Sequence, residues 1–242
     1  MTAAGAVVVE PSQLVLMDGF SLSSGGVVQR LPASAQRLVA FVALQGRAVS
    51  RQRAAFTLWP DATETHAYGS LRTALFRLRA VCPGGSVLES RKDFELSASV
   101  GVDVRRVYEL AARLESAGDR AREAGELELL LAGGELLPDW YDDWVLVERE
   151  RFHELRVRAL ETLCESHLAS GEVAAAIGCA SAAVRADPLR ESSRRMVIRA
   201  LLVEGNRVEA LAHHRQFHQL LHPLGLLPSP HFDEVVGDLA GR

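Results

Sequence analysis

The chain opens on short apolar runs broken by turn residues. AVVV at 6–9 and LVL at 14–16 predict strands, MDGF and SSGG predict turns, and VVQRL at 27–31 predicts a further strand, together a small antiparallel sheet. The period then changes to that of a helix. Ser34 is expected to cap a first helix, in which Leu38, Phe41, Val42 and Leu44–Gln45 follow at helical spacing until Gly46. Ser50 is expected to cap a shorter second helix, RQRAAFTLW, that stops before Pro60. Thr63 or Thr65 begins a third, which runs to about Cys82 ahead of Pro83 and two glycines. VLES and FELS, separated by RKD, predict a closing β-hairpin.

From Val102 onward the pattern is helical. Helices are expected at about 103–117, 119–132, 142–169, 172–186, 190–204, 207–221 and 231–240. GVDV near 101–104 marks the domain boundary, and GGELLPDWYDDW at 133–144 is a loop whose three aromatics pin it against the helices. SGEVAAAI at 170–177 and EGNRVEAL at 204–211 superpose at an offset of 34 residues, matching Gly171 to Gly205, Ala176 to Ala210 and Ile177 to Leu211. That period is the one of tetratricopeptide helix hairpins. The second copy is looser, with Phe217 where the first has Ala183 and Pro223 one residue later than Pro188 predicts. The fold class is mostly α with a small β component: an N-terminal winged helix-turn-helix (α+β) over 1–100, then an all-α, tetratricopeptide-like domain over 101–242.

The third helix carries the most chemistry. Leu71, Leu75 and Leu78 fall on one face at 100° per residue, with Ala74, Val81 and Cys82 beside them, and that face packs inward. The opposite face is centred on Gly69, Thr73, Phe76 and Ala80, with Arg72 and Arg79 along one edge and Arg77 and His66 along the other. A solvated helix face usually mixes acids with bases, yet no acid occurs between Glu64 and Glu89. Small central residues admit a close partner, and two arginine edges suit two rows of phosphates. Arginine also takes guanine bidentately, and a threonine methyl or a phenylalanine touches the thymine methyl. Arg51 and Arg53 lie on the preceding helix, and Arg91 and Lys92 sit at the hairpin tip. Helix-turn-helix plus hairpin is a DNA-docking arrangement, with the helix in the major groove and the wing on the adjacent backbone. The candidate DNA-binding residues are therefore Arg72, Thr73, Phe76, Arg77, Arg79, Arg51, Arg53, Arg91 and Lys92.

Charge supports that assignment only when read by segment. The whole chain of 242 residues has net charge -4. Residues 1–29 hold two acids and no base, residues 30–93 hold ten bases against four acids, and residues 94–242 hold 17 bases against 25 acids. A +6 module thus precedes a -8 one. Lys92 is the only lysine, in ESRKDF, with no glycine-rich loop around it, which excludes a P-loop. Cys82, Cys164 and Cys179 are far apart and in no metal spacing, and read as reduced thiols. The start, MTAAGAVVVEPSQ, has no basic region and no long apolar run, which predicts no signal peptide, and no run approaches the roughly 18 apolar residues of a membrane helix. A cytoplasmic protein without membrane contact is expected.

On these residues the chain resembles a known family. LPASAQRLVAFVAL, LWPD, LRTALFRLRAV, the hairpin and VDV are similar to the OmpR-type winged helix of the Streptomyces antibiotic regulatory proteins. DWYDDWVLVERERFHEL, ADPLRESSRRMVIRALLVEGNRVEALAHHRQF and LGLLPSP resemble the bacterial transcriptional activator domain that follows it there. The resemblance runs from about Leu14 to Val236. It implies a DNA-binding transcriptional activator of secondary metabolism that binds direct repeats near promoters and helps RNA polymerase engage. It also implies a recognition helix over 65–81. Two departures stand out: Asp93-Phe94 replaces the Gly-Tyr often found in the wing, and Phe76 stands where many members carry a polar or basic residue.

The expected partners are double-stranded DNA, RNA polymerase, and a second copy or a regulatory protein bound through the helical half. A competing reading is an interaction adaptor of the same fold with little or no DNA binding, which the acidic net charge and Phe76 favour and the acid-free run from Thr65 to Leu88 opposes. An enzyme is not expected: no GxSxG, GxGxxG or Cys–His pairing occurs, and Asp139, Asp142 and Asp143 are better read as helix caps beside anchoring aromatics than as an acid-base pair. His214, His218 and His222, with His213 adjacent, read as a solvent- or partner-facing stripe rather than as metal ligands, and no cofactor is expected. ERERFHELRVR reads as the solvated face of a long helix.

Overall fold

Gly25 and Gly26, at φ 56 and 79, make the two-residue turn that the first sheet is built on. The computed structural model describes residues 12–82, 87–90, 92–117, 128–131 and 133–237. The strand expected at 6–9 therefore lies outside the described residues, as does most of the helix expected at 119–132. The chain forms two compact units, Met1–Arg106 with Gly134–Arg149, and Val107–Gly133 with Glu150–Arg242.

In the first unit, β1 (Ser12–Val15), β2 (Ser21–Ser24) and β3 (Val27–Val28) form an antiparallel meander. Ser23 and Ser24, expected in a turn, are in β2; the two glycines supply the turn by themselves. GVDV holds the last strand, β6 (Val100–Val102), which pairs parallel with β1 in a sheet of order β3-β2-β1-β6. Asp103 fixes that junction. Its carboxylate accepts the backbone N–H of Leu16 at 2.9 Å and of Met17 at 2.9 Å. Burial pushes the Asp103 carboxyl above the ordinary aspartate range, against the pull of these backbone donors.

Three helices follow the meander: α1 (Ala33–Gln45), α2 (Arg51–Leu58) and α3 (Glu64–Val81). The N-cap of α1 is Pro32, not Ser34; Ser34 lies in the first turn, and its hydroxyl makes no capping bond. Gly46 ends α1 at φ 63, a left-handed position that glycine occupies without strain. Ser50 caps α2 as expected, its hydroxyl accepting from Arg53 N at 3.2 Å. The hairpin is β4 (Leu88–Ser90) and β5 (Phe94–Leu96), and Phe94 also bridges Val49. Leu14, Leu22, Leu38, Phe41, Leu58, Leu71 and Phe94 are buried and form this unit's core.

The loop around residues 134–142 belongs to this first unit. Trp140 stacks on Phe20 at 6.0 Å between ring centroids, and Trp144 meets Phe41 edge-on at 5.3 Å. The two tryptophans thus anchor the loop, against Phe20 just before β2 and against α1 of the winged helix, whereas Tyr141, the third aromatic expected to pin it, stands 78% exposed. Arg149 holds the loop from below, donating to the carbonyls of Leu136 at 2.9 Å and Trp140 at 2.9 Å. Asp142 occupies the N-cap position of the helix that follows, its carbonyl accepting from Val145 N at 2.8 Å, but its side chain pairs with Arg37 of α1.

α4 (Asp103–Ala117) and α5 (Asp143–Ala169) lead into the second unit, which continues with α6 (Val173–Ala186), α7 (Glu191–Glu204), α8 (Arg207–Leu221) and the short α9 (Pro230–Glu234). α9 is shorter than the helix expected at 231–240. The repeat is visible in the backbone. Gly171 and Gly205 are both left-handed, at φ 76 and 91. Glu172 N donates to His167 O at 2.8 Å, and Asn206 N donates to Leu201 O at 2.8 Å, the same helix-ending bond one repeat apart. Ala176 and Ala210 are fully buried where neighbouring helices meet. Arg190, of the PLRE segment, donates two bonds to Glu161 of α5, at 3.0 and 3.1 Å, and Ser192 and Ser193 add theirs at 2.6 and 2.7 Å. Burial raises the Glu161 carboxyl, but these donors outweigh it and hold it below the ordinary range. The thiols of Cys164 and Cys179 are buried and pushed up to about 12 and about 11, which keeps them protonated and inert.

Candidate nucleic-acid interface

α3 is held by its leucine face. Leu71, Leu75 and Leu78 are buried, as are Ala67 and Ala74, so the helix cannot rotate without exposing them. Its other face is open: Arg72, Thr73, Phe76, Arg77, Arg79 and Ala80 are all exposed. Phe76 stands 74% exposed, a large apolar ring at the centre of a basic face. Thr73 donates its hydroxyl to Gly69 O at 3.0 Å, one turn back, so its methyl remains for an outside contact. A Cβ at Gly69 would meet nothing within 4 Å, so glycine is not required there by packing.

No hydrogen bond or ion pair links Arg72, Arg77 or Arg79 to another of the described residues. The acids that flank them in sequence are Glu64, in the first turn of the helix, and Glu89, in β4. Three guanidinium groups in water, on one element and uncompensated, make a local field that attracts polyanions.

The other sequence-predicted residues divide. Arg51 is half-buried and engaged with the hairpin: it donates to Ser90 Oγ at 2.9 Å, and its guanidinium lies 4.8 Å from the centre of the Phe94 ring. It positions the wing. This also accounts for Phe94, the departure from Gly-Tyr, which is fully buried as the hairpin's anchor. Arg53 is exposed and donates to Gln45 Oε1 at 2.6 Å. Lys92 is exposed between β4 and β5. Arg91 lies outside the described residues.

Sequence reasoning passed over Ser34. It lines an open cavity of about 450 Å³ together with Trp59, His66, Gly69, Thr73 and Arg77. Its buried hydroxyl has no partner among the described residues, and it stands in the first turn of α1, where backbone N–H groups lack helical partners. The signal was present in the sequence, since a serine within the first turn of a helix is a common anion-binding position. Reading Ser34 as the cap hid it.

The stripe of histidines also resolves differently from the sequence expectation. His214 and His218 both turn to one carboxylate, Asp233 of α9, with each Nε2 2.8 Å from Oδ1. In the second unit, Arg156 donates to Leu130 O at 2.9 Å. With Arg149 engaged as well, the ERERFHELRVR segment is not simply solvated: Arg149 and Arg156 hold backbone carbonyls, while Arg151 and Arg158 are exposed.

A four-stranded sheet, three helices and a hairpin, followed by a helical unit with a 34-residue repeat, define a winged-helix protein joined to a tetratricopeptide-like module. Residues 102–238 match the bacterial transcriptional activator domain. The chain belongs to that family, and the curated relatives it resembles are Streptomyces regulatory proteins. It is 30% identical over 230 residues to the regulatory protein AfsR of Streptomyces coelicolor, covering 90% of this chain and 22% of that protein. It is 29% identical over 221 residues to AfsR of Streptomyces griseus, covering 88% of this chain and 22% of that one. The chain thus spans about a fifth of the length of these curated relatives. The fold is shared with Mycobacterium tuberculosis EmbR, solved in complex with a low-affinity phosphopeptide, at a TM-score of 0.71 and 21% identity, over 93% of this chain and 64% of that chain. No described helix is long and apolar enough to cross a membrane.

Proposed function

We propose that this transcriptional activator binds double-stranded DNA through its first unit, with α3 in the major groove. The observation that carries the reading is the open face of α3, where Arg72, Arg77 and Arg79 stand exposed with no acidic partner among the described residues, around an exposed Phe76. Arg77 and Thr73 reach one groove wall, and the first turn of α1 with Ser34 takes a backbone phosphate beside them. Arg72 and Arg79 reach the other wall. Phe76 and the Thr73 methyl meet thymine methyls in the floor. Lys92 and Arg91 contact the neighbouring backbone from the wing, and Arg53 approaches it from α2. Direct repeats near promoters are the sites that the resemblance to the Streptomyces antibiotic regulatory proteins suggests, and the cell interior is where such DNA is found. The second unit would contact RNA polymerase, a second copy of the chain or a regulatory protein, as helical-repeat surfaces do.

A gel-shift assay of the purified chain on its own upstream region, at several salt concentrations, tests this reading. Specific binding that weakens steeply with salt is expected, because phosphate contacts release counterions. Undetectable binding at low salt would overturn it and leave the adaptor reading.

A further inference from the structure

His214 and His218 lie four residues apart on α8, so their imidazoles rise from the same face of the helix. Their rings are 4.7 Å apart between centroids. Both Nε2 atoms point at the same Asp233 carboxylate oxygen, and the ligand atoms of the three residues all lie within 4.8 Å of one another. The surroundings hold this arrangement in place. Phe232, next in sequence to Asp233, is fully buried; it stacks on the His214 ring at 5.2 Å with 10° between planes, and packs on Phe217 at 4.7 Å. The chain just before α9 is tied to α7, where Ser229 N donates to Glu191 Oε2 at 2.8 Å. Asp233 is thus delivered to the two histidines by neighbours that are themselves fixed.

We propose that His214, His218 and Asp233 form a binding site for a divalent ion of the zinc class. Two imidazole nitrogens and one carboxylate oxygen are a donor set that suits zinc better than magnesium or calcium, which prefer oxygen alone. A tetrahedral zinc ion with bonds of about 2.0–2.1 Å holds its ligand atoms about 3.4 Å apart. Each imidazole nitrogen therefore needs to move about half an ångström away from the Asp233 oxygen, and the two nitrogens, within 4.8 Å of one another, to draw together by up to about 1.4 Å, to admit it. Each imidazole binds through Nε2 with its proton on Nδ1, and water fills the fourth position. The ion replaces two hydrogen bonds with three coordinate bonds and clips α9 onto α8. His213, His222 and His231 do not share the carboxylate and take no part. The inference is independent of DNA binding and concerns only the second unit.

The test uses the full chain with any affinity tag removed, titrated with Co²⁺ as a visible probe and with Zn²⁺ as competitor. One tetrahedral Co²⁺ absorption per chain is expected, displaced by Zn²⁺, together with a higher melting temperature in Zn²⁺. His218→Gln and Asp233→Asn should each abolish the band and weaken Zn²⁺ binding by at least about tenfold, the loss typical even of an outer-shell partner. His222→Gln should behave as the parent. Far-UV circular dichroism establishes that each variant keeps its helices, and the parent alone is decisive in the other direction. A parent chain with no tetrahedral band, or variants that bind as the parent does, overturns the site.

Discussion

The guanidinium of Arg51 sits 4.8 Å from the centre of the Phe94 ring, so the first residue of α2 is clamped to the second strand of the wing. Helix-turn-helix and wing are therefore joined by a contact that runs from the start of α2 to Ser90 and Phe94, the residues that flank the hairpin tip. Arg51→Ala should cost about 1–2 kcal/mol of stability, from a cation–π contact and a hydrogen bond together. It should also weaken DNA binding through a displaced wing. Thermal melting measures the first effect and gel shift the second; a variant that melts and binds like the parent would show that the clamp does not position the wing.

Arg72→Ala and Arg77→Ala should each weaken specific binding by about 1–3 kcal/mol where the contact is to a base. Lys92→Ala should weaken binding evenly across sequences and lower the salt slope by about one ion. Titrations against the specific site and a scrambled duplex separate the two behaviours. Parental binding by both arginine variants would remove α3 from the groove.

Gly133 faces a different constraint. It sits at φ 29, and a Cβ there would fall 1.3 Å from the Arg156 guanidinium. Gly133→Ala should therefore strain the backbone and push Arg156 off Leu130 O, with a loss of about 1–3 kcal/mol. The melting temperature checks it, and Arg156→Ala should reproduce most of the loss.

Glu161 sets an acid limit on the second unit. Burial raises its carboxyl and the bonds from Arg190, Ser192 and Ser193 lower it further than burial raises it, so the folded value lies below the unfolded one. The contribution is present above the unfolded glutamate value of about 4.3 and is lost as pH falls through the folded value. Glu161→Gln should lose about 1–3 kcal/mol at neutral pH. The gap between parent and variant should close as pH drops below about 4, followed by chemical denaturation at several pH values.

The outward face of α3 was legible in the sequence because a helix repeats every 3.6 residues, so Leu71, Leu75 and Leu78 name the buried side and leave Arg72, Phe76 and Arg77 outside. The 34-residue repeat was legible for a like reason: Gly171 and Gly205 each meet a left-handed helix end, a demand of the backbone itself. The contact of Arg51 with Phe94 was not legible, because the two are 43 positions apart on different elements and no period links them. The roles of Arg149 and Asp142 were hidden in the same way.

The sequence by itself determined the three helices and the hairpin of the first unit, the helices of the repeat and their order, and the buried and open faces of α3, since each follows from local backbone preference and helical period. Tertiary structure decided the rest. It placed β6 beside β1, with Asp103 holding Leu16 from 87 residues away. It packed the tryptophan loop on the winged helix, left Ser34 Oγ without a partner among the described residues beside Arg77, and turned His214 and His218 from a surface stripe onto Asp233. These contacts join residues far apart in the chain, and only packing the buried faces together brings their polar groups within bonding distance.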